Sequence, residues 1–472
     1  MKKWITVLFA LIIYNLTINF NNCICQWVVQ TNPLGNGIGT GKIQFVSVTE
    51  GWISGGQGNL LHTTNAGINW IIVKPFPNDT ITSMSDPAVT MWWVNQTHGW
   101  KMSWLGTTIS NAHGAIIHQT TDGGTTWQKK VLSTTNGDMG FQIQFVDANT
   151  GWATIFIGAS GTLNLLKSTN GGNNWTTVNQ SANKFFVFHF VDASKGWLIR
   201  MTFINGNVSP PFEILSTVNG GVNWTVQYSD NNSISNMVAA VQFTDQSNGW
   251  VVGSDARILK TTNGGINWTQ ITNAGITSTS QSKTVFFLNA NIGWITNSEF
   301  NGPGRTILHT INGGNSWTHQ DPNIISNSSS MFSIFFWDAN NGWYSGEQCV
   351  QNCNGPDSLM VFAGLIEHTT NGGSIGIKKI SKIVPSTYLL SQNSPNPFNP
   401  STNIRYDIPK NGLVKLVIYN ELGREIETLV NQKQSAGTYE ATFDASQYPS
   451  GVYFYRLTTE GFSETKKMIL LK

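Results

Sequence analysis

Charge is scarce in this sequence: Asp, Glu, Lys and Arg make up 11% of its 472 residues, and the formal net charge is +2. No basic face for nucleic acid and no acidic tail is implied. Long apolar runs are also missing. The one near the start, Ile5 to Leu16, is shorter than the roughly 20 residues that span a bilayer, and no later stretch qualifies. Cysteine is nearly absent, with 4 residues. What is abundant is 47 glycines, 19 tryptophans and 25 phenylalanines, with much Asn, Thr and Ser. That mixture suits strands joined by tight turns and argues against a helical protein. Apolar residues at 40% over this length allow a sizeable core.

Residues 1–25 read as a secretory signal peptide. Lys2 and Lys3 precede the apolar run, and Cys23, Ile24 and Cys25 offer small residues for a cut before Gln26. A lipoprotein site is disfavoured because Asn21 and Asn22 precede Cys23. Cys349 and Cys353 then remain, in a chain expected to leave the reducing cytosol. They suit a small disulfide loop, with free thiols as the alternative. A metal site is a poor fit, since only His368 is near them in sequence.

Two motifs alternate along the chain. The first ends in Gly-Trp: FVSVTEGW at Trp52, WVNQTHGW at Trp100, FVDANTGW at Trp152, FVDASKGW at Trp197, FTDQSNGW at Trp250, FLNANIGW at Trp294 and FWDANNGW at Trp343. These seven copies recur about every 48 residues. The second motif is a turn of the form TTNGGINW, placed at Asn65, Asp122, Asn170, Asn219, Asn263, Asn312 and Asn371. Its Asn or Asp is expected to bond the turn backbone, and its Gly pair to supply left-handed angles. Each period therefore reads as four strands, A to D, with the first motif joining A to B and the second joining C to D.

The second motif, best matched by Thr120, Asp122, Gly124, Thr126 and Trp127, resembles the Asp-box, or bacterial neuraminidase repeat, of β-propellers. With the Gly-Trp motif added, the chain is most similar to propellers related to the photosystem II assembly and stability factor. Six of the seven boxes carry Asn in place of Asp. The expected fold is all-β, with a seven-bladed β-propeller over residues 26–373. The last box has no strand D of its own. Because QWVVQ at Trp27 begins as strands D do, Trp27 to Gln30 is expected to complete the seventh blade and latch the ring.

Both repeated motifs lie on one face of such a ring, so variation collects on the other, at the B–C and D–A loops. Candidate ligand contacts there are Trp104, Asn111, His113, Arg200, Glu213, Glu299, Arg305 and Glu347, with Pro75, Pro77, Asp79 and Asp86 on one D–A connection. This aromatic and polar rim suits a glycan, peptide or protein. A glycoside hydrolase of the sialidase-like or xyloglucanase-like type is the rival reading, and a purely structural surface protein is the third. Resemblance to sialidases implies an arginine triad, whereas the propeller has only Arg200, Arg257 and Arg305, and the last two follow the blade period. Glu213, Glu299 and Glu347 are the acids left to pair across the ring. Asp147, Asp192, Asp245 and Asp338 recur at one motif position and read as turn caps. His62, His309 and His368 share a strand-C position with Lys167, Lys260, Gln119 and Ser216, so they are not read as metal ligands. No metal, cofactor or catalytic residue is assigned.

Composition changes after Gly373. A linker is expected at 374–387, followed by a small immunoglobulin-like β-sandwich at 388–472. SPNPFNPST from Ser394, VKLVIYNELGREIETLV from Val414, GTYEATFDAS from Gly437, PSGVYFYRL from Pro449 and the terminal KKMILLK closely resemble the type A C-terminal sorting domain of the type IX secretion system. That resemblance implies Sec export, then passage across the outer membrane of a Bacteroidetes-like bacterium by the type IX machinery. It also implies removal of the domain, with the protein surface-held or released.

Overall fold

The computed structural model describes residues 27–75 except 37, 90–104, 114–204 except 183, and 207–231. It further describes 238–276 except 273, 280–299, 305–320, 330–351, 361–372 except 371, 377–381 and 384–471 except 446 and 447, and in most of these ranges a few residues are described by their backbone alone. The proposed signal segment lies outside these. The chain divides into two compact units, the first spanning Gln26–Ser374.

That unit is seven four-stranded antiparallel sheets. In the third, strands A to D are Met139–Phe145, Gly151–Ile157, Thr162–Ser168 and Thr176–Ala182. Consecutive A strands touch all the way round, so they surround the axis. The seventh sheet takes Ser330–Phe336, Gly342–Gln351 and Val361–Thr369 from its own period and Val28–Val29 from the N-terminus. Val28 stands opposite His368 and Val29 opposite Glu367, which closes the ring as expected.

The two motifs build one repeated packing unit. The aromatic seven residues before each Gly-Trp tryptophan stacks on the tryptophan of the preceding blade, at centroid distances of 3.4–4.5 Å in all seven junctions. The tryptophan ending the second motif meets the same aromatic edge-on at 5.8–6.3 Å. The seventh blade lacks that residue and Trp27 takes its place, edge-on to Phe336 at 5.8 Å. Stacked and edge-on contacts of this kind add to the area that each ring buries. Five of the Gly-Trp indoles also donate to a carbonyl in the next blade's second motif, as Trp152 Nε1 does to Gly220 O at 2.9 Å.

Both turns satisfy their own backbone. In the second motif, the Thr or Ser hydroxyl accepts from the second Gly N–H, as from Gly172 at 2.8 Å. The following Asn or Asp Oδ1 accepts from the amide four residues on, as Asn170 does from Asn174 at 2.9 Å. This recurs at Asn65, Asp122, Asn219, Asn263 and Asn312, while Asn371 lies outside the described residues. Only an acceptor oxygen is used in this bond, so Asn replaces Asp without loss of the turn. Asp122 adds contacts to its carboxylate from Thr126 side chain and backbone and from Thr120, and these hold it down to about 2. The A–B turns are capped by Asp147, Asp192, Asp245 and Asp338, each accepting two backbone N–H groups at 2.6–2.8 Å.

The second unit holds Ile375–Lys472. Its two four-stranded sheets are joined by one core in which Tyr406, Tyr439 and Phe443 of one sheet meet Leu416, Tyr455 and Met468 of the other. Burial alternates along Ser401–Ile408, as a half-buried strand requires. The segment expected to be a linker is partly a strand: Ile377–Ser381 pairs with Gly437–Asp444 at the edge of a sheet. Two isoleucines flanking two lysines suit a short edge strand, whose charges discourage further pairing.

Candidate functional site

Antiparallel order places the A–B and C–D turns on one face of the ring and the B–C and D–A connections on the other. Trp104 ends strand Gly99–Trp104 on the second face, opposite Ala115. Glu299 ends Gly293–Glu299 and Arg305 begins Arg305–Thr310, so both flank the B–C connection of the sixth blade. The side chains of these three residues, together with Asn111, His113, Asn205 and residues 76–89, lie outside the described set. Glu347 is half-buried, opposite Ser330 and Gly364.

Arg200 and Glu213 stand directly opposite on neighbouring strands of the fourth blade. The Arg200 guanidinium donates to Glu213 Oε2 from Nε and meets it from a terminal nitrogen, both at 2.8 Å. Arg200 also lines a small crevice with Asn179, Ser181, Leu198, Leu215 and Trp224. Arg257, which the sequence reading sets aside as structural, pairs with Asp230 at 2.6 Å and lies over the Phe212 ring at 5.2 Å. Of the acids considered for hydrolysis, Glu213 is therefore already engaged by a cation. Cys349 is buried and disulfide-bonded, and Cys353 lies outside the described residues.

The strand-C histidines have a shared packing role. His62, His309 and His368 stack on Trp52, Trp294 and Trp343 at 3.8, 4.8 and 4.5 Å. Lys167 and Lys260 cover Trp152 and Trp250 from the same strand position, and Lys195 covers Trp197 where the fourth blade has the short Ser216. Among the described residues no group of three or more His, Cys, Asp or Glu is placed to hold a metal ion.

Burial holds His309 down to about 4, and its Nε2 has no hydrogen-bond partner among the described residues. The unfolded imidazole takes its proton near 6.5. Its contribution to stability is thus complete above pH 6.5 and is lost as pH falls toward 4, because the unfolded chain binds the extra proton. Lowering the pH from 7 to 4.5 should cost the wild type about 2–3 kcal/mol more than His309→Gln, read from urea midpoints by tryptophan fluorescence. Equal losses in the two proteins would show that His309 does not drive the acid sensitivity.

Residues 394–471 match the family described as the secretion system C-terminal sorting domain. Residues 180–274 and 222–324 match that of the photosynthesis system II assembly factor YCF48. No curated protein matches the chain. Among solved structures, YCF48 bound to D1 peptide aligns with a TM-score of 0.51 at 15% identity, over 73% of this chain and 97% of that one. YCF48 from Cyanidioschyzon merolae gives 0.48 at 17%, over 73% and 98%. The GH74 xyloglucanase from Xanthomonas campestris gives 0.49 at 11%, over 81% and 59%. The likeness to the first of these is one of fold. The C-terminal module is a sorting domain of the type IX secretion system, which places the protein outside the cell or on its surface.

Proposed function

We propose that this protein is a non-catalytic binding module, carried out through Sec and then type IX secretion, that holds a glycan, peptide or protein on its B–C and D–A loops. The observation that carries this reading is the division of labour between the faces. The repeated polar groups of the A–B and C–D turns are engaged in capping their own backbones, whereas the non-repeated aromatic and charged residues collect at the opposite ends of strands B and C. Loops on such a rigid frame are free to vary for recognition. The Arg200 pair with Glu213 argues against that carboxylate as a general acid. YCF48, which shares the fold, is known bound to D1 peptide, and this supports a peptide among the ligand classes.

The test is the mature full-length chain on arrays of intact glycans and peptides, reading retention and released sugar together. Retention without release is expected, with Trp104→Ala weakening it at least about tenfold, as loss of an aromatic anchor does. Released sugar would overturn the reading and direct attention to Glu299 and Glu347.

A further inference from the structure

Among the described residues, the first A strand carries a charge that the scaffold does not use. Eight residues before each Gly-Trp tryptophan, the A strands present side chains to one another near the axis. Gln44 accepts from the Trp93 N–H at 3.1 Å and donates to the Trp93 carbonyl at 2.7 Å. Gln144 grips Phe190 in the same way at 2.9 and 2.8 Å, and Gln242 grips Phe287 at 2.6 and 3.1 Å. His189 performs half of that role, its Nδ1 accepting from the Phe243 N–H at 3.4 Å. These groups clamp neighbouring blades and are engaged in doing so. The remaining blades place Trp92, Phe286 and Phe335 at this position, all half-buried.

Lys42 departs from the pattern. It lies two residues before Gln44 on the first A strand, and its ammonium sits over the Trp92 ring at 5.2 Å. Among the described residues no carboxylate pairs with it, and it makes no clamp between blades. Burial pushes it down to about 8. Burial, and then the charge of Lys42, push His189 to about 3. His189 belongs to the fourth blade, on the far side of the seven-membered ring from the first. A half-buried ammonium with no carboxylate beside it among the described residues destabilises the fold. A group retained at such a cost, beside an aromatic face and reachable by solvent, marks a functional site more often than a structural one.

We propose that Lys42 anchors a ligand site at the propeller axis, taking a small free carboxylic acid whose carboxylate pairs with the ammonium and whose apolar body packs on Trp92 and the neighbouring Phe335. The lining favours this class over sugars, because the glutamine amides that would bind hydroxyl groups are already engaged on both sides. The site is built from the A strands rather than from the B–C and D–A loops.

Calorimetry on the mature full-length chain tests the proposal with benzoate, with benzamide as the uncharged isostere and glucuronate as the polyhydroxylated acid. Benzoate should bind at least tenfold more tightly than either, and Lys42→Met should abolish that preference. The same substitution should raise the melting temperature read by tryptophan fluorescence by about 2–4 °C, because it removes a charge that partial burial disfavours. Lys42→Gln, which keeps a polar side chain, should also lose benzoate. Benzoate affinity unchanged in both variants, no preference over benzamide in the wild type, or a lower melting temperature for Lys42→Met would each overturn the assignment. The two sites fail separately: array retention is read with Trp104→Ala and benzoate with Lys42→Met.

Discussion

Trp27→Ala is expected to lower the stability of the propeller by about 3–5 kcal/mol, the range for truncating a buried tryptophan. Trp27 is fully buried and packs edge-on against Phe336 at 5.8 Å and Tyr344 at 5.2 Å. It also enters the core of the sixth and seventh blades with Trp294, Ile307 and Leu365. The strand it introduces is only Val28–Val29, and both of these side chains are exposed. Beyond them, Gln30 N–H donates to Ile366 O at 2.8 Å, and Gln30 Nε2 reaches Ala66 O in the first blade at 3.0 Å. With so few backbone bonds, the closure depends on the indole more than on the strand. Every tryptophan of the chain lies at or before Trp343, so tryptophan fluorescence in a urea titration reads the propeller alone, while tyrosine signals, from residues of which seven of ten lie at or after Tyr388, report mainly on the sorting domain. The midpoint of the first should fall and that of the second should stay. Val28→Ala should shift neither by more than about 0.5 kcal/mol, as for an exposed substitution. An unchanged tryptophan midpoint for Trp27→Ala would mean that the ring does not rely on this latch.

Much of this architecture is legible in the residues, because both motifs carry their conformational requirements with them. The Gly-Trp copies mark the blades, and QWVVQ repeats the start of a strand D closely enough to reveal the closure. What the sequence hides is whatever depends on a neighbour one blade away. Phe145 and Trp152 belong to one motif copy, yet Phe145 stacks on Trp100 of the preceding blade, at 3.6 Å and 5°. Nothing local distinguishes that partner from its own Trp152. Arg200 and Glu213 read as separate loop residues, but the regular register that starts at Gly196 and Thr217 sets them opposite each other. Ile377–Ser381 resembles the start of a basic linker, and only the unpaired edge of Gly437–Asp444 gives it a role. Lys42 looks like any polar residue of an alternating strand. Its isolation is a property of the ring, visible only once the axis and its glutamine clamps are assembled.

Gly151→Ala, a change of one methyl group, should cost about 3 kcal/mol, at the upper end of what overpacking a core does. The backbone angle at Gly151 is not the reason, for this glycine starts an ordinary strand opposite Phe145 and Ser168. A Cβ there would lie 2.5 Å from Cδ1 and Cγ of the Phe145 ring. That ring cannot retreat. It is stacked on Trp100 at 3.6 Å and held edge-on by Trp175 at 5.8 Å. The same close approach recurs at Gly51 and Gly99, where the blocking rings are Phe45 and Trp93. The glycine of Gly-Trp is therefore required by the aromatic six residues earlier, whose ring must lie flat between its own strand B and the preceding blade. This makes a coupling that a double-mutant cycle can measure. In a Phe145→Leu background, where the flat ring is gone, the added methyl group should cost less than about 1 kcal/mol, the scale of a tolerated hydrophobic change. Urea midpoints by tryptophan fluorescence for the four proteins decide the matter. Equal costs in both backgrounds would exclude the clash with Phe145 as the cause, and with it the account of why the motif keeps glycine before its tryptophan.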